Sequence, residues 1–159
     1  MSEVSTYSPD SVILTIGGSY LVGWNSIAIS RDSSEFTTIK GIRGKHTRVR
    51  SYDTAATITI ELPFSSEWND IFSEIVTQDS VSATGRLEVF LKDNSGRSLF
   101  KSTQAFVTRY ADVTFDSTIS SRVWLIQCLS TDVYVVGGSS NPSASLLSNA
   151  YSNLSDLFS

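Results

Sequence analysis

A mainly β domain carrying one amphipathic helix is what this sequence predicts, and three observations predict it. Ser and Thr are abundant beside 40% hydrophobic and only 18% charged residues, a mixture that suits strands and turns wetted on one side. Short runs alternate apolar with polar residues and are bounded by Gly, Asp, Asn and Pro, which is the signature of half-buried strands. Within the body of the chain, one internal segment alone carries apolar residues at helical spacing.

Val12 to Ile16 reads as a short strand closed by Gly17-Gly18, a hairpin signal because both positions accept positive φ. Tyr20 to Ser30 follows as a second strand region interrupted at Gly23. Residues 31–40 are polar and ambiguous, whereas Gly41 and Gly44, three apart, imply a mobile or sharply turned loop in a basic stretch: Lys40, Arg43, Lys45, His46, Arg48 and Arg50 occur there without an acid between 40 and 50. Ile58, Ile60 and Leu62 alternate with Thr57, Thr59 and Glu61, and Pro63 ends that strand because it has no N–H to donate. Ser65 or Ser66 then caps a helix of about 65–79. Trp68, Ile71, Phe72, Ile75 and Val76 recur at i, i+3, i+4, i+7 and i+8 and are expected to pack on the core.

Arg86–Lys92 and Arg97–Arg109 are expected to pair across the turn Asp93-Asn94-Ser95-Gly96. Val113–Ile119 and Arg122–Ser130 are expected to form another pair, the latter strand apolar on both faces and so central in a sandwich or covered by a neighbouring subunit. Asp132–Val136 adds a short strand. The composition shifts after Gly138: 139–159 is rich in Ser and Asn, lacks basic residues, and repeats Leu147, Tyr151, Leu154 and Phe158 at helical spacing. The expected organisation is one domain over 1–138, with an N-terminal arm at 1–10, and a tail over 139–159 that orders against a partner.

The chain has 159 residues and a formal charge of −4, unlike the basic footprint of a dedicated nucleic-acid binder. Its one cysteine, Cys128, lies in an apolar run and is expected to be a buried, inert thiol. No apolar run approaches the ~20 residues that span a bilayer, and the polar N-terminus has no signal-peptide core, so synthesis in a cytoplasm and no membrane role are expected.

Catalysis requires convergent titratable groups. His46 is the one histidine, and no nucleophile or orienting acid is placed beside it by spacing. No metal-ligand set, phosphate loop or calcium loop is present in the sequence pattern, so neither enzyme activity nor a cofactor is expected. Asp70 and Glu74 fall at i, i+4 on the polar face of the helix and read as solvated surface. The basic stretch has three open readings: contact with phosphates, contact with an acidic surface of another subunit, or plain solvation. Tyr20, Trp24, Tyr110 and Tyr134 are core packing in one reading and a carbohydrate groove in another.

An ordered series of short motifs runs through Tyr7-Ser8-Pro9-Asp10, Gly17-Gly18, Gly23, Phe36, Gly41, Gly44, Arg48, Ser51 and Asp53. It continues with Ile58-Thr59-Ile60-x-Leu62, Ser66-x-x-Asn69-Asp70-x-x-Ser73, Asp93-x-Ser95-Gly96-Arg97 and Leu99-Phe100. The series resembles the tail-tube proteins of contractile-tailed bacteriophages, and departs from them at Pro63-Phe64. The resemblance implies two packed antiparallel sheets in a barrel-like sandwich with one flanking helix, similar to the tube protein of type VI secretion. It also implies a virion structural subunit whose six-membered rings stack into a hollow tube, with phage DNA passing through the lumen without specific binding. Implied partners are the chain itself, tail sheath, baseplate and tail terminator proteins, with 31–52 reaching the adjacent ring. A tube initiator or terminator of the same fold is the first alternative, and a carbohydrate-binding β-sandwich is the alternative from another class.

Overall fold

The computed structural model describes residues 8–138 and 148–154. A 3-10 turn at Pro9–Ser11 leads into ten strands and one main helix. The strands are β1 (Val12–Ile16), β2 (Ser19–Leu21), β3 (Ser26–Arg31), β4 (Phe36–Lys40), β5 (His46–Arg50) and β6 (Ala56–Leu62). After α1 (Trp68–Ser82) come β7 (Leu87–Asp93), β8 (Leu99–Val107), β9 (Arg122–Ser130) and β10 (Val133–Val135). Eight strands form one antiparallel sheet in the order β2-β1-β7-β8-β9-β6-β3, with β10 also on β8; β4 and β5 form a separate two-stranded antiparallel sheet. Of the tail, residues 148–154 are helical. The segment 1–7, Leu147 and Phe158 lie outside the described residues.

The large sheet is not closed into a barrel, but it folds over itself like a sandwich. Its end strands β2 and β3 are joined by residues 22–25 alone. A link that short spans at most about 17 Å, so the two ends of the sheet lie close together. Side chains from β3 (Ile27, Ile29) accordingly share a cleft with Val12 of β1 and Leu91 of β7. The Tyr134 hydroxyl of β10 donates to the Ile29 carbonyl at 3.2 Å. Alternation places Leu14, Ile16, Ile58, Ile60, Leu62, Val89, Leu91, Trp124, Ile126 and Cys128 in one core.

In β8 the buried set changes parity, from Phe100 and Ser102 to Ala105 and Val107. The bulge opposite β7 makes that possible: the three steps from Ser102 to Ala105 in β8 face the two from Leu87 to Val89, and the extra residue turns the following side chains to the opposite face. Ser102 is fully buried there, and its hydroxyl donates to the Ser130 carbonyl at 2.6 Å.

Trp68, Phe72 and Val76 of α1 are buried, one above another at i, i+4 and i+8. Ile75 is half-buried against the core, and Ile71 is 39% exposed. The ridge 68-72-76 therefore points inward; at 100° per residue Ile75 lies beside it and Ile71 lies a quarter-turn away. Phe72 bridges Trp68 and Trp124, with ring centroids 5.5 and 5.3 Å apart.

Two expectations about strands are corrected. Residues 113–119 form a loop, not a strand, and β9 pairs with β6 and β8 instead. The Asp116 carboxylate accepts from the Thr118 backbone N–H and hydroxyl, both at 2.9 Å, and such local bonds favour a turn over a ladder. The region 20–30 is not one interrupted strand but parts of two, β2 and β3, which pair with β1 and β6 respectively. Gly23, at φ +75°, lies in the link that carries the chain from one end of the sheet to the other.

Candidate assembly surface

Within residues 31–52, the loop that the resemblance implies, β4 and β5 form a β-ribbon. Thr37, Thr38, Ile39, Thr47 and Val49 are β-branched and favour extended backbone. The tip is a turn in which the Gly44 N–H donates to the Gly41 carbonyl at 2.9 Å and the Gly41 N–H to the Lys45 carbonyl at 2.7 Å. Gly44 sits at φ +81°, a conformation that glycine adopts without strain. All five residues of each strand are exposed.

Directly paired residues of an antiparallel ladder project to the same side. The pairs Phe36↔Arg50, Thr38↔Arg48 and Lys40↔His46 therefore build one basic face, with Arg43 and Lys45 at the tip. The pairs Thr37↔Val49 and Ile39↔Thr47 build the other face. Ile39 is 58% exposed, and Ile42 at the tip is completely exposed. The ribbon is thus basic on one side, apolar and hydroxylated on the other, and packed on neither. The Arg48 guanidinium lies 4.2 Å over the Phe36 ring and that of Arg50 lies 5.2 Å over Tyr52, which spreads these cations along the face.

The base of the ribbon is fastened by short polar bonds. The Asp32 carboxylate accepts from the Thr57 hydroxyl at 2.7 Å and from the Gln127 amide at 2.6 Å. Asp53 accepts from the Ala55 N–H at 3.0 Å and the Ser33 hydroxyl at 3.2 Å. The Arg31 Nε pairs with Glu35 at 3.1 Å, and the Ser51 N–H donates to the Glu35 carbonyl at 2.8 Å. A ribbon without a packed face is held at a defined root.

His46 lies on the ribbon's exposed basic face, opposite Lys40. Among the described residues no group of three or more His, Cys, Asp or Glu side chains could hold a metal ion. Burial pushes the Cys128 thiol up to about 11, against a smaller lowering by its bond with Ser102, so the thiol is protonated near neutrality. Trp24 and Tyr134 pack against the core edge. Tyr110 meets the Thr77 hydroxyl at 2.8 Å, and Tyr20 is exposed. Two of the four aromatic residues are therefore packing residues.

Two features were not legible as functional in the sequence. One is the uncovered apolar side of the ribbon, whose only signal is Ile39 and Val49 among polar neighbours. The other is Asn69, whose side-chain NH2 donates to the Pro63 and Phe64 carbonyls at 3.0 and 3.3 Å, while its carbonyl accepts the Trp124 indole N–H at 2.9 Å.

No family model matches the chain. The chain is 32% identical over 140 residues to structural protein ORF10 of Pseudomonas phage KPP10, and the match covers 81% of each. It belongs to this family of phage structural proteins. Solved chains of much lower identity have the same fold. One, in the tube-terminating cap of the anti-feeding prophage, is 11% identical with a TM-score of 0.58, over 86% of this chain and 95% of that one. Another, in the sheath-tube complex of the extracellular contractile injection system PVC, is 14% identical with a TM-score of 0.54, over 82% and 90%. A third, in the virion of a native gene transfer agent, is 11% identical with a TM-score of 0.57, over 80% and 100%. The phage structural protein therefore shares its fold with chains of a tube-terminating cap, a contractile injection system and a gene transfer agent particle. Among its described residues, no helix is long and apolar enough to cross a membrane.

Proposed function

We propose that this phage structural protein is a subunit of a tail tube, built of six-membered rings that stack into a hollow, DNA-conducting cylinder. The observation that carries this reading is the ribbon β4–β5, exposed on both faces and rooted firmly in the domain. A solitary soluble domain gains nothing from holding such an element, whereas an assembling one gains a contact. In this reading the ribbon, through Lys40, Arg43, Lys45, His46, Arg48 and Arg50, reaches a subunit of the adjacent ring. The free edges of β2 and β3 are the surfaces that neighbours in a ring can join. Sheath, baseplate and terminator proteins are the other partners, phage DNA passes without specific binding, and no catalysis is involved.

Electron microscopy of the purified protein is expected to show rings or tubes. Monodisperse particles of single-chain mass at high concentration would overturn the reading. Replacing Arg43, Lys45 and Arg48 by Glu is expected to weaken stacking while the domain stays folded, as judged by circular dichroism. Normal tubes from that variant would move the axial contact elsewhere.

A tube terminator or cap is the second reading, favoured by the fold likeness to the anti-feeding prophage cap and to a chain of the PVC sheath/tube terminator. Copy number in purified particles separates the two, since a tube subunit is present in many rings and a terminator at one end.

A further inference from the structure

We infer that the basic face of the ribbon docks on the outward face of helix α1 of a second copy of this chain. The inference rests on the tube-subunit reading and names the surface that receives the ribbon.

Five of the 12 basic residues and none of the 16 acidic ones lie in residues 40–50, which leaves seven against 16, a net −9, elsewhere. That negative charge has a local concentration on the helix. Between Glu67 and Ser82 there are four acids and no basic residue. Glu67, Asp70, Ile71, Glu74, Gln78 and Val81 are all exposed and fall on one stripe, opposite the buried ridge 68-72-76. Val81 is 86% exposed. The stripe thus mixes acids with uncovered apolar groups, as the ribbon mixes cations with Phe36 and Ile42.

Within the subunit the helix acids meet at most a neutral partner, as where the Gln78 amide donates to Glu74 at 3.0 Å, and Arg48 and Arg50 lie over aromatic rings. Among the described residues the ion pairs are Arg31–Glu35 and Arg109–Asp112. The ribbon cations and the acids of the helix stripe take part in neither. The spacings agree as well. Arg48 and Arg50 stand about 6.6 Å apart along their strand, and Asp70 and Glu74 about 6 Å apart along the helix. The ribbon therefore lies along the helix, with Arg48 and Arg50 facing Asp70 and Glu74. Because ribbon and helix are different patches, the contact is heterologous and propagates from copy to copy.

The test uses full-length protein, with assembly followed by light scattering and electron microscopy. The helix variant carries Asp70→Lys and Glu74→Lys; the ribbon variant carries Arg48→Glu and Arg50→Glu. Each alone is expected to raise the concentration needed for assembly by about tenfold or more, since like charges then face each other across the contact. Mixed together they are expected to assemble again, because each reversed surface meets its reversed complement. Should the helix variant fail to fold, Asp70→Asn with Glu74→Gln keeps side-chain size and is expected to raise the threshold in the same direction. Assembly of a folded helix variant at the wild-type concentration would overturn the inference and leave the tube reading intact. Failure of the mixture to assemble would overturn it too, leaving the tube reading intact. A wild-type protein that stays monomeric overturns both.

Discussion

Asn69 joins three pieces of the molecule with one side chain. Its amide holds the strand-to-helix turn through the Pro63 and Phe64 carbonyls and satisfies the indole of Trp124 in β9. Asn69→Ala leaves that buried N–H without a partner and is expected to cost about 1–3 kcal/mol in urea unfolding. Combined with Trp124→Phe, it is expected to cost less than the sum of the two single changes, because the same bond is removed twice. Ser66 adds a weaker clamp, its hydroxyl accepting the Trp68 N–H at 3.3 Å. The sequence motif holding Ser66, Asn69 and Asp70 was visible, but its purpose was not: nothing local says that a strand more than fifty residues on will present an indole to it. Cys128 carries a pH prediction. Its thiol is raised from 9.0 to about 11 in the fold, mainly by burial. The unfolded chain then loses that proton first as pH rises, so stability is full below about 9 and falls between 9 and 11. Unfolding midpoints of wild type and Cys128→Ala measured across this window are expected to converge as pH rises, because the variant lacks this term.

Elements differ in how plainly the chain announces them. The 68-72-76 ridge and the alternation of β6 were legible because each packs a face, and periodicity is the imprint of a packed face. The ribbon was not legible for the converse reason: with no residue of β4 or β5 buried, no burial pattern was there to read, and only its glycines and charge stood out. The element is expected to be dispensable for folding. Replacing 36–50 by a short Gly/Ser turn should leave the thermal midpoint within a few degrees while assembly is lost. The C-terminus of α1 makes an independent prediction. Ala83 occupies the left-handed region at φ +55°, where a side chain is strained, so Ala83→Gly is expected to stabilise the domain by about 0.5–1 kcal/mol. Gly85→Ala is expected to destabilise it, since an added Cβ would lie 2.7 Å from the Asp79 Cβ.

For the whole molecule, the sandwich arises from one sheet that curls until its ends nearly meet. Strand content and the Asp93–Gly96 hairpin could be read locally. That β2 and β3, separated by residues 22–25, sit at opposite ends of the strand order could not, because the reason is the closure of the sheet and no residue encodes it alone. Charge is also a property at this scale. A positive ribbon on a body of net −9 is expected to make assembly salt-dependent, with the threshold concentration rising between 50 mM and 500 mM NaCl as screening shortens the reach of the charges. Scattering titrations at fixed pH measure it.

The turn between β7 and β8 has a mechanical role. The Asn94 N–H donates to the Ser11 carbonyl at 2.9 Å, and the Arg97 N–H donates to the Gly138 carbonyl at 3.0 Å. Gly137 lies so close over Arg97 that any side chain there would collide with it. The chain thus enters the domain and leaves its last strand at the same four-residue turn. Tension applied between the two terminal segments meets that turn first, and the central strands β9 and β6 stand outside its path. Both terminal segments are thus moored at a single point of the subunit.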